Sequence, residues 1–423
     1  MNQERRLRIH ETKTPVVILH CGLGALAVMR SLGKLGIRVI GVAGDGNSIA
    51  TRSRYCYQSF YHQLTDIDAD GLEQFLLNIA DDMGLRPLLI AMTDETAMFV
   101  ADRYAHLRKA YLIGQNSGII VSALANKISM FNLAIEHGLP TPKTVLPINF
   151  NDLLDKITGF SFPVMLKGAM GNRLKARTGK SMMVAHNKVE LEEFYKVLED
   201  PNEPNVMIQE LIPGNDDQVY IFNGYFDKNS DCAVAFTGRK IRQHPIHQGV
   251  ASMGECCWIE EVAQITKVFM KRIGYTGVLD IGYRKDPRDG KYKVLDINPR
   301  VGQAFRIFVD RAGMDVVRAL YLDQTGQKIN LPIEPREGRR WFIEDCDLVS
   351  ALSNADEGLL TFGQWLRSFR HVEESAWFDF RDLLPFVVIL GRLIAKLVRW
   401  NIRSVRQFCH KKLGTASSGA TLT

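Results

Sequence analysis

Four separated segments of this 423-residue chain carry side chains that could do chemistry together. The most specific is YTGVLDIGYRKDPRDGKYKVLDINPRVGQAF, from Tyr275 to Phe305, which reads as two strands joined by an acidic turn at Asp286 to Gly290. In a hairpin, same-face positions set Asp280 near Asp296 and Asn298. Two carboxylates and an amide oxygen form a hard oxygen cluster suited to magnesium, with manganese a possible substitute. Arg300, two residues past Asn298, falls on the same side and could stabilise charge on a reacting carboxylate or a tetrahedral intermediate. Unpartnered acids on half-buried strands are costly, which disfavours a purely structural role for the set.

The other three segments supply positive charge and backbone. FPVMLKGAMGNRLKARTGKS carries Lys167 on a strand into a loop with Gly168, Gly171 and Gly179 and the bases Arg173, Lys175, Arg177 and Lys180, where glycines allow close approach to phosphate. Lys127, at the preceding helix start, could add a second cation. VMIQELIPGND runs a buried strand through Gln209, Glu210, Leu211 and Ile212 into a Pro-Gly turn, a shape that offers N–H and C=O groups to a purine edge, with Asp216 in reach of a ribose. AFTGRKIRQHPIHQG alternates Arg239, Lys240 and Arg242 on a strand, and Lys240 or Arg242 could meet phosphate or an acidic substrate. Taken singly, each has a bland reading: a solvated basic hairpin, a ligand-free strand, an edge guarded by charge. Together they hold what moving a phosphoryl group onto a carboxylate requires, namely cations on the phosphates, an oxygen-ligated metal and an adenine slot.

The elements that must position these groups follow from periodicity. VVILHCGLGALAVMRSLGKLGIRVIGVAG, from Val16, is a buried strand, a glycine turn, a helix and a second buried strand, the start of a parallel α/β domain. Gly22, Gly24 and Ala27 spell G-x-G-x-x-A, with Asp45 after the next strand. This suits a nicotinamide-type dinucleotide and so an oxidoreductase, yet any strand-to-helix turn this tight wants glycine. NKISMFNLAIEHGLPTPKT then opens a second region that continues through strands to about Pro332, and helices follow it. We expect an arm over 1–15, a Rossmann-like domain over 16–125, a two-lobed α+β domain over 126–332, a helical extension over 333–412 and a disordered tail over 413–423.

Composition bounds the rest. With 46% hydrophobic and 24% charged residues the chain is an ordinary globular protein. Its seven cysteines are scattered without paired spacing and read as reduced thiols, and the polar start has no secretory stretch, so a cytoplasmic location is expected. The formal charge of +6 is local: Arg381 to Lys412 holds eight Lys or Arg against one Asp. Within it, 386–408 plots as a basic amphipathic helix, apolar at Phe386, Leu390, Leu393, Ile394 and Leu397 and basic at Arg392, Lys396, Arg399, Arg403 and Arg406. It suits an anionic membrane surface from the inner face, or it packs on the protein or on a second subunit as a homodimer. It lacks the aromatic interleaving of a nucleic-acid surface.

In their order these motifs resemble the ATP-grasp superfamily over roughly Val16 to Leu331, and most nearly its carboxylate-amine ligases related to D-aspartate ligase. The resemblance implies Lys127 and Lys167 as ATP lysines, with Gly168 and Gly171 in the loop over the phosphates. It implies QELI as the adenine hinge, with backbone contacts at Glu210 and Ile212 and a ribose contact at Asp216. Asp280, Asp296 and Asn298 become metal ligands, Arg300 the catalytic arginine, and Lys240 or Arg242 the base on the third segment. The fold implied is a Rossmann-like domain, a two-lobed ATP-grasp domain and a helical tail. The activity implied uses ATP and magnesium to turn a small-molecule carboxylate into an acyl phosphate that an amine then attacks, with a cell-envelope precursor as one substrate option. An ATP-binding protein without turnover is the alternative. Asp296 departs from the pattern, since the superfamily usually has glutamate there.

Overall fold

The computed structural model describes residues 7, 9–65, 67–116, 118–169, 171–180, 182–200, 202–247, 249–329 and 332–395, with backbone alone at 171–173. Three sheets organise them. The first is parallel, ordered β3-β2-β1-β4, from β1 (Val16–Leu19), β2 (Val39–Ala43), β3 (Cys56–Tyr61) and β4 (Leu88–Ala91). β1, β2 and β4 are buried at every residue, as continuous apolar runs covered by helices on both faces must be.

The second sheet is small and antiparallel: β5 (Thr144–Val145), β6 (Val164–Gly168), β7 (Met182–Ala185) and β8 (Val206–Glu210), ordered β5-β8-β6-β7. Period-2 alternation gives Val164 and Leu166 to one core, with Leu153, Leu191 and Ile208, and leaves Met165 and Lys167 to the other face. The third sheet has seven strands, ordered β13-β12-β9-β10-β11-β14-β15. They are β9 (Val219–Phe226), β10 (Cys232–His244), β11 (Val250–Cys256), β12 (Gly277–Lys285), β13 (Tyr292–Asn298), β14 (Arg340–Phe342) and β15 (Val372–Ser375).

The expected helices of the extension are present as Glu344–Asp356, Phe362–Ser368 and Leu384–Ala395. The extension also supplies β14 and β15, which continue the large sheet beyond β11. At three and four residues they are too short to show a period in sequence. Of the expected amphipathic helix 386–408, the part after Ala395 lies outside the described residues, as does 413–423.

The first and third sheets share one core. Val16, Ile18, Leu26 and Met29 pack with Tyr225, Phe236, Phe308, Leu320 and Trp341. Buried ions pin the same seam. Arg30, on the helix Leu23–Gly33, donates to Asp382 at 2.9 Å and to the carbonyls of Ala376 and Trp377. Asp315 accepts from Ser31 and Arg306, both at 2.6 Å. The extension therefore locks the first domain onto the large sheet, and the cleft beside that seam has two walls held in register.

Candidate active site

A cleft of about 970 Å³ opens where the three sheets meet. Its floor is the β12–β13 hairpin. Asp280 stands opposite Asn298 and Asp296 opposite Gly282, so the three polar side chains share one face. Two glycines leave them room: a Cβ on Gly282 would come within 2.6 Å of an Asp296 oxygen, and one on Gly302 within 2.3 Å of an Asp280 oxygen. Asn298 donates to the Asp280 carbonyl and to Asp296 Oδ2, both at 3.3 Å, while its own oxygen accepts from Arg300 at 3.1 Å. Arg300 also donates to Asp94 at 2.7 Å, an ion pair that joins the hairpin to the first domain.

Electrostatics single out this floor. Burial raises Asp280 to about 6, and the Asp296 charge adds to the rise against the pull of Arg300. From behind, Asn223 on β9 donates to Asp280 at 3.3 Å, while its own Oδ1 is buried without a hydrogen-bond partner. Two crowded carboxylates beside a chain amide fit a hard divalent cation, with the two aspartates as its natural holders. Among the described residues no group of three or more His, Cys, Asp or Glu side chains is poised for a metal, so any such site rests on these two acids, the amide and whatever the ligand brings.

The opposite wall is cationic. Lys167 projects from β6 with its Nζ 5.4 Å from the Phe131 ring centroid and is 7% exposed. Burial first, and then Lys127, holds it well below the usual lysine range, against the pull of Asp296. Lys127 begins the helix Lys127–Glu136, capped by the Asn126 side chain. Lys240 on β10 donates to Gln243 and to the Gly249 carbonyl, both at 2.8 Å. Burial lowers its pKa while Asp296 and Asp280 pull it back up.

Gln209, Glu210, Leu211 and Ile212 line the far end, next to Met165 and Met182. Gln209 is held by Thr144 at 2.8 Å, and the Glu210 carboxylate by the Lys143 amide, Arg288 and Lys293. Arg284, which sequence reasoning missed, ties this segment down through the carbonyls of Ile212, Gly214 and Asn215. No pattern in the sequence marked it, since a lone arginine on a strand usually snorkels to water.

Three expectations are corrected. Lys240 and Arg242 would share a face on a regular strand, but the register shifts on both sides of Arg242 send it away from the cleft. There it is 4% exposed and paired with Asp347 at 2.8 Å, with Ser368 as a further acceptor. Asp216 does not line the cleft. It sits behind the wall, accepting from Gln243 at 2.8 Å and from the His247 amide. The glycine-rich stretch is not one continuous loop: Gly168 ends β6, paired with Val206, and Gly171 begins a helix, Gly171–Thr178. The apolar Leu174 anchors this helix at 1% exposure.

The glycine turn of the first domain also lies on the cleft, through Gly22 and Gly24. Gly24 is required by packing, since a Cβ there would stand 2.9 Å from Met92 and 3.3 Å from the Gln303 backbone. The turn therefore closes on the segment after β13. Thiol chemistry finds no support here, because burial lifts Cys256 to about 12 and Cys257 to about 11.

No protein-family model matches the sequence. Among solved structures, N5-carboxyaminoimidazole synthetase from Staphylococcus aureus complexed with ADP matches with TM-score 0.59 at 14% identity, over 80% of this chain and 83% of that one. Biotin carboxylase from Campylobacter jejuni, in a β,γ-ATP complex, matches with TM-score 0.60 at 15% identity, over 78% and 75%. The chain has the ATP-grasp fold. The sequence is also similar to D-aspartate ligase of Enterococcus faecium (strain Aus0004), 28% identical over 259 residues, which is 58% of this chain. The match spans 61% of that relative's length. In this cleft the acidic floor and the lysine wall face one another.

Proposed function

We propose that the chain is an ATP-dependent ligase that activates a carboxylate as an acyl phosphate and joins it to an amine. The observation that carries this reading is a pair of like-charge clusters set against each other: Lys127 beside Lys167, whose pKa it helps to lower, and Asp296 beside Asp280, whose pKa it helps to raise. Such pairs are costly alone and become favourable when a polyphosphate and a divalent ion lie between them. Magnesium-bound ATP would supply the transferable phosphoryl group. Lys127 and Lys167 would bind the phosphates, and Gln209 to Ile212 the base. Asp280, Asp296 and Asn298 would hold the metal, Asn298 after an amide rotation that turns its oxygen from Arg300 to the floor. Manganese would serve in place of magnesium. Arg300 and Lys240 would orient the substrate carboxylate, and closure of the cleft would keep water from the acyl phosphate. The similarity to D-aspartate ligase makes amino acids with a side-chain carboxylate the first acids to test.

The exposed extension supports a place at the inner membrane face, with an envelope precursor as the amine-bearing substrate. Phe380, Leu384, Val387 and Ile394 are each more than half exposed, and from Leu383 to the chain end there are seven Lys or Arg and no acid. Among the described residues no single helix is long and apolar enough to cross a membrane, which suits surface attachment. The deciding experiment is ADP release from ATP and magnesium over a panel of acids and amines, with wild type and Asp296→Ala. Release that depends on both an acid and an amine, and that falls to background in the variant, is expected. Substrate-independent binding with no release, or a fully active Asp296→Ala, would remove the proposal.

A further inference from the structure

We infer that His20 is the proton acceptor for the incoming amine, an inference that rests on the ligase reading above. His20 follows β1 and stands on the cleft with Asp94, Glu95 and Arg300. Its backbone is at φ 77°, a conformation uncommon for non-glycine residues. The imidazole lies over the glycine turn: a Cβ on Gly22 would stand 3.2 Å from His20 Nε2. The first glycine of the turn thus makes room for this ring, as the second makes room for the Gln303 backbone.

The charged groups facing the ring are Glu95, from the helix Asp94–Asp102, and Arg300, from the segment after β13. His20 is exposed at the cleft mouth, yet the partial burial of its ring lowers the pKa, Glu95 raises it and Arg300 lowers it, and the balance falls below the ordinary value. The ring is therefore neutral at pH 7 and has a free nitrogen lone pair. Asp94 holds Arg300 at 2.7 Å, so the guanidinium is fixed on the same wall as the ring.

An amine substrate reaches this wall as an ammonium ion. It gives one proton to the unprotonated ring nitrogen of His20, and its freed lone pair attacks the acyl carbon. The C–N bond forms as the C–O bond to phosphorus breaks, and the phosphate leaves with that electron pair. The second nitrogen proton departs with the phosphate, and His20 returns the first to solvent.

Two small nucleophiles separate this role from the ligase reading. Hydroxylamine is already neutral at pH 7 and needs no base, whereas ammonium must lose a proton. With D-aspartate or another acid that supports ADP release, products from hydroxylamine and from ammonium chloride are measured for wild type, His20→Asn and Glu95→Gln. Asparagine tolerates positive φ, so the first variant keeps the turn. The ammonium-to-hydroxylamine ratio should fall by about 10²-fold in His20→Asn, the usual share of a general base. In Glu95→Gln the acid limb of the ammonium reaction should move to lower pH, because a carboxylate that raises the histidine pKa is gone. Equal losses with both nucleophiles, an unmoved limb, or a wild type that takes hydroxylamine but not ammonium would overturn the inference. A wild type that captures neither, with any acid, would instead overturn the ligase reading.

Discussion

Acid should loosen the extension at Glu374. This side chain, 23% exposed, accepts from Arg306 Nε at 2.9 Å and NH2 at 2.7 Å and from Arg339 at 2.8 Å. Burial alone would raise its pKa, but Arg306 and Arg339 outweigh it and hold the carboxyl at about 2 against an ordinary 4.5. A depressed carboxyl contributes its full stability above the unfolded value and loses it as the pH falls toward the folded one. At ~1.4 kcal/mol per pKa unit, that contribution is about 3.5 kcal/mol at pH 7 and falls to about 1.4 kcal/mol at pH 3. Urea unfolding can be followed by Trp341 fluorescence, since this residue is 1% exposed on β14 beside the network. Glu374→Gln should lower stability at pH 7 by roughly that amount, and its gap to wild type should halve or better by pH 3. A gap that stays constant from pH 7 to pH 3 would refute the assignment of the ion pairs as the cause.

Lys167→Ala should cut substrate-dependent ADP formation by roughly 10²-fold or more with unchanged circular dichroism, as removal of a preorganised cation at a transferring phosphoryl group does; a loss under tenfold would argue against its place on the phosphates. Arg242→Ala should cost about 3–5 kcal/mol in denaturant unfolding, because Asp347 is left buried and unpaired, and an Arg242→Met, Asp347→Leu double variant should recover most of it. Nucleotide affinity in the double variant, measured by calorimetry, should match wild type. Gly302→Ala should raise the magnesium concentration needed for half-maximal ADP release, since its Cβ would press on Asp280. A chain ended at residue 383 should stop co-sedimenting with phosphatidylserine vesicles while full-length protein does so at low salt, and full-length protein that ignores such vesicles would remove the membrane proposal.

What could be read in advance followed from regular strands. The period of two in LDI and LDINPR was enough to bring Asp280, Asp296 and Asn298 to one face, and the period in FPVMLK was enough to turn Lys167 from the apolar side. Arg242 escaped because a bulge adds a residue without leaving a mark in residue type. Asp216 escaped because a short 3-10 turn, Asp216–Gln218, turns it inward to Gln243. The helix Gly171–Thr178 was hidden by the glycine at its start and by bases that read as a loop. Asn223 and Arg284 act through partners distant in sequence, and only the pairing of β12 with β9 and with the turn at 212–215 makes them meaningful. His20 was masked by the glycines that follow it, which drew notice to a dinucleotide pattern.

The two lysines of the cleft belong to different bodies of packing. Lys127 rides on a helix whose Met130, Phe131 and Ala134 join the core under the large sheet, whereas Lys167 extends from a strand whose Val164 and Leu166 fill the core of the small one. Their mutual repulsion acts between the lobes, and the repulsion of Asp280 and Asp296 acts within one hairpin. Of the cross attractions, that of Asp296 offsets only part of the lowering at Lys167. On the proposed reading a nucleotide with its metal would reverse these signs: phosphates would join the lysines, and the cation would join the aspartates to the phosphates. On that reading, residues that are costly without a ligand would favour approach of the small sheet to the large one once it binds. Arg300 and its Asp94 latch lie on the side where the ion network at Arg30, Asp315 and Glu374 fixes the first domain, so this wall would be held whether or not the small sheet moves.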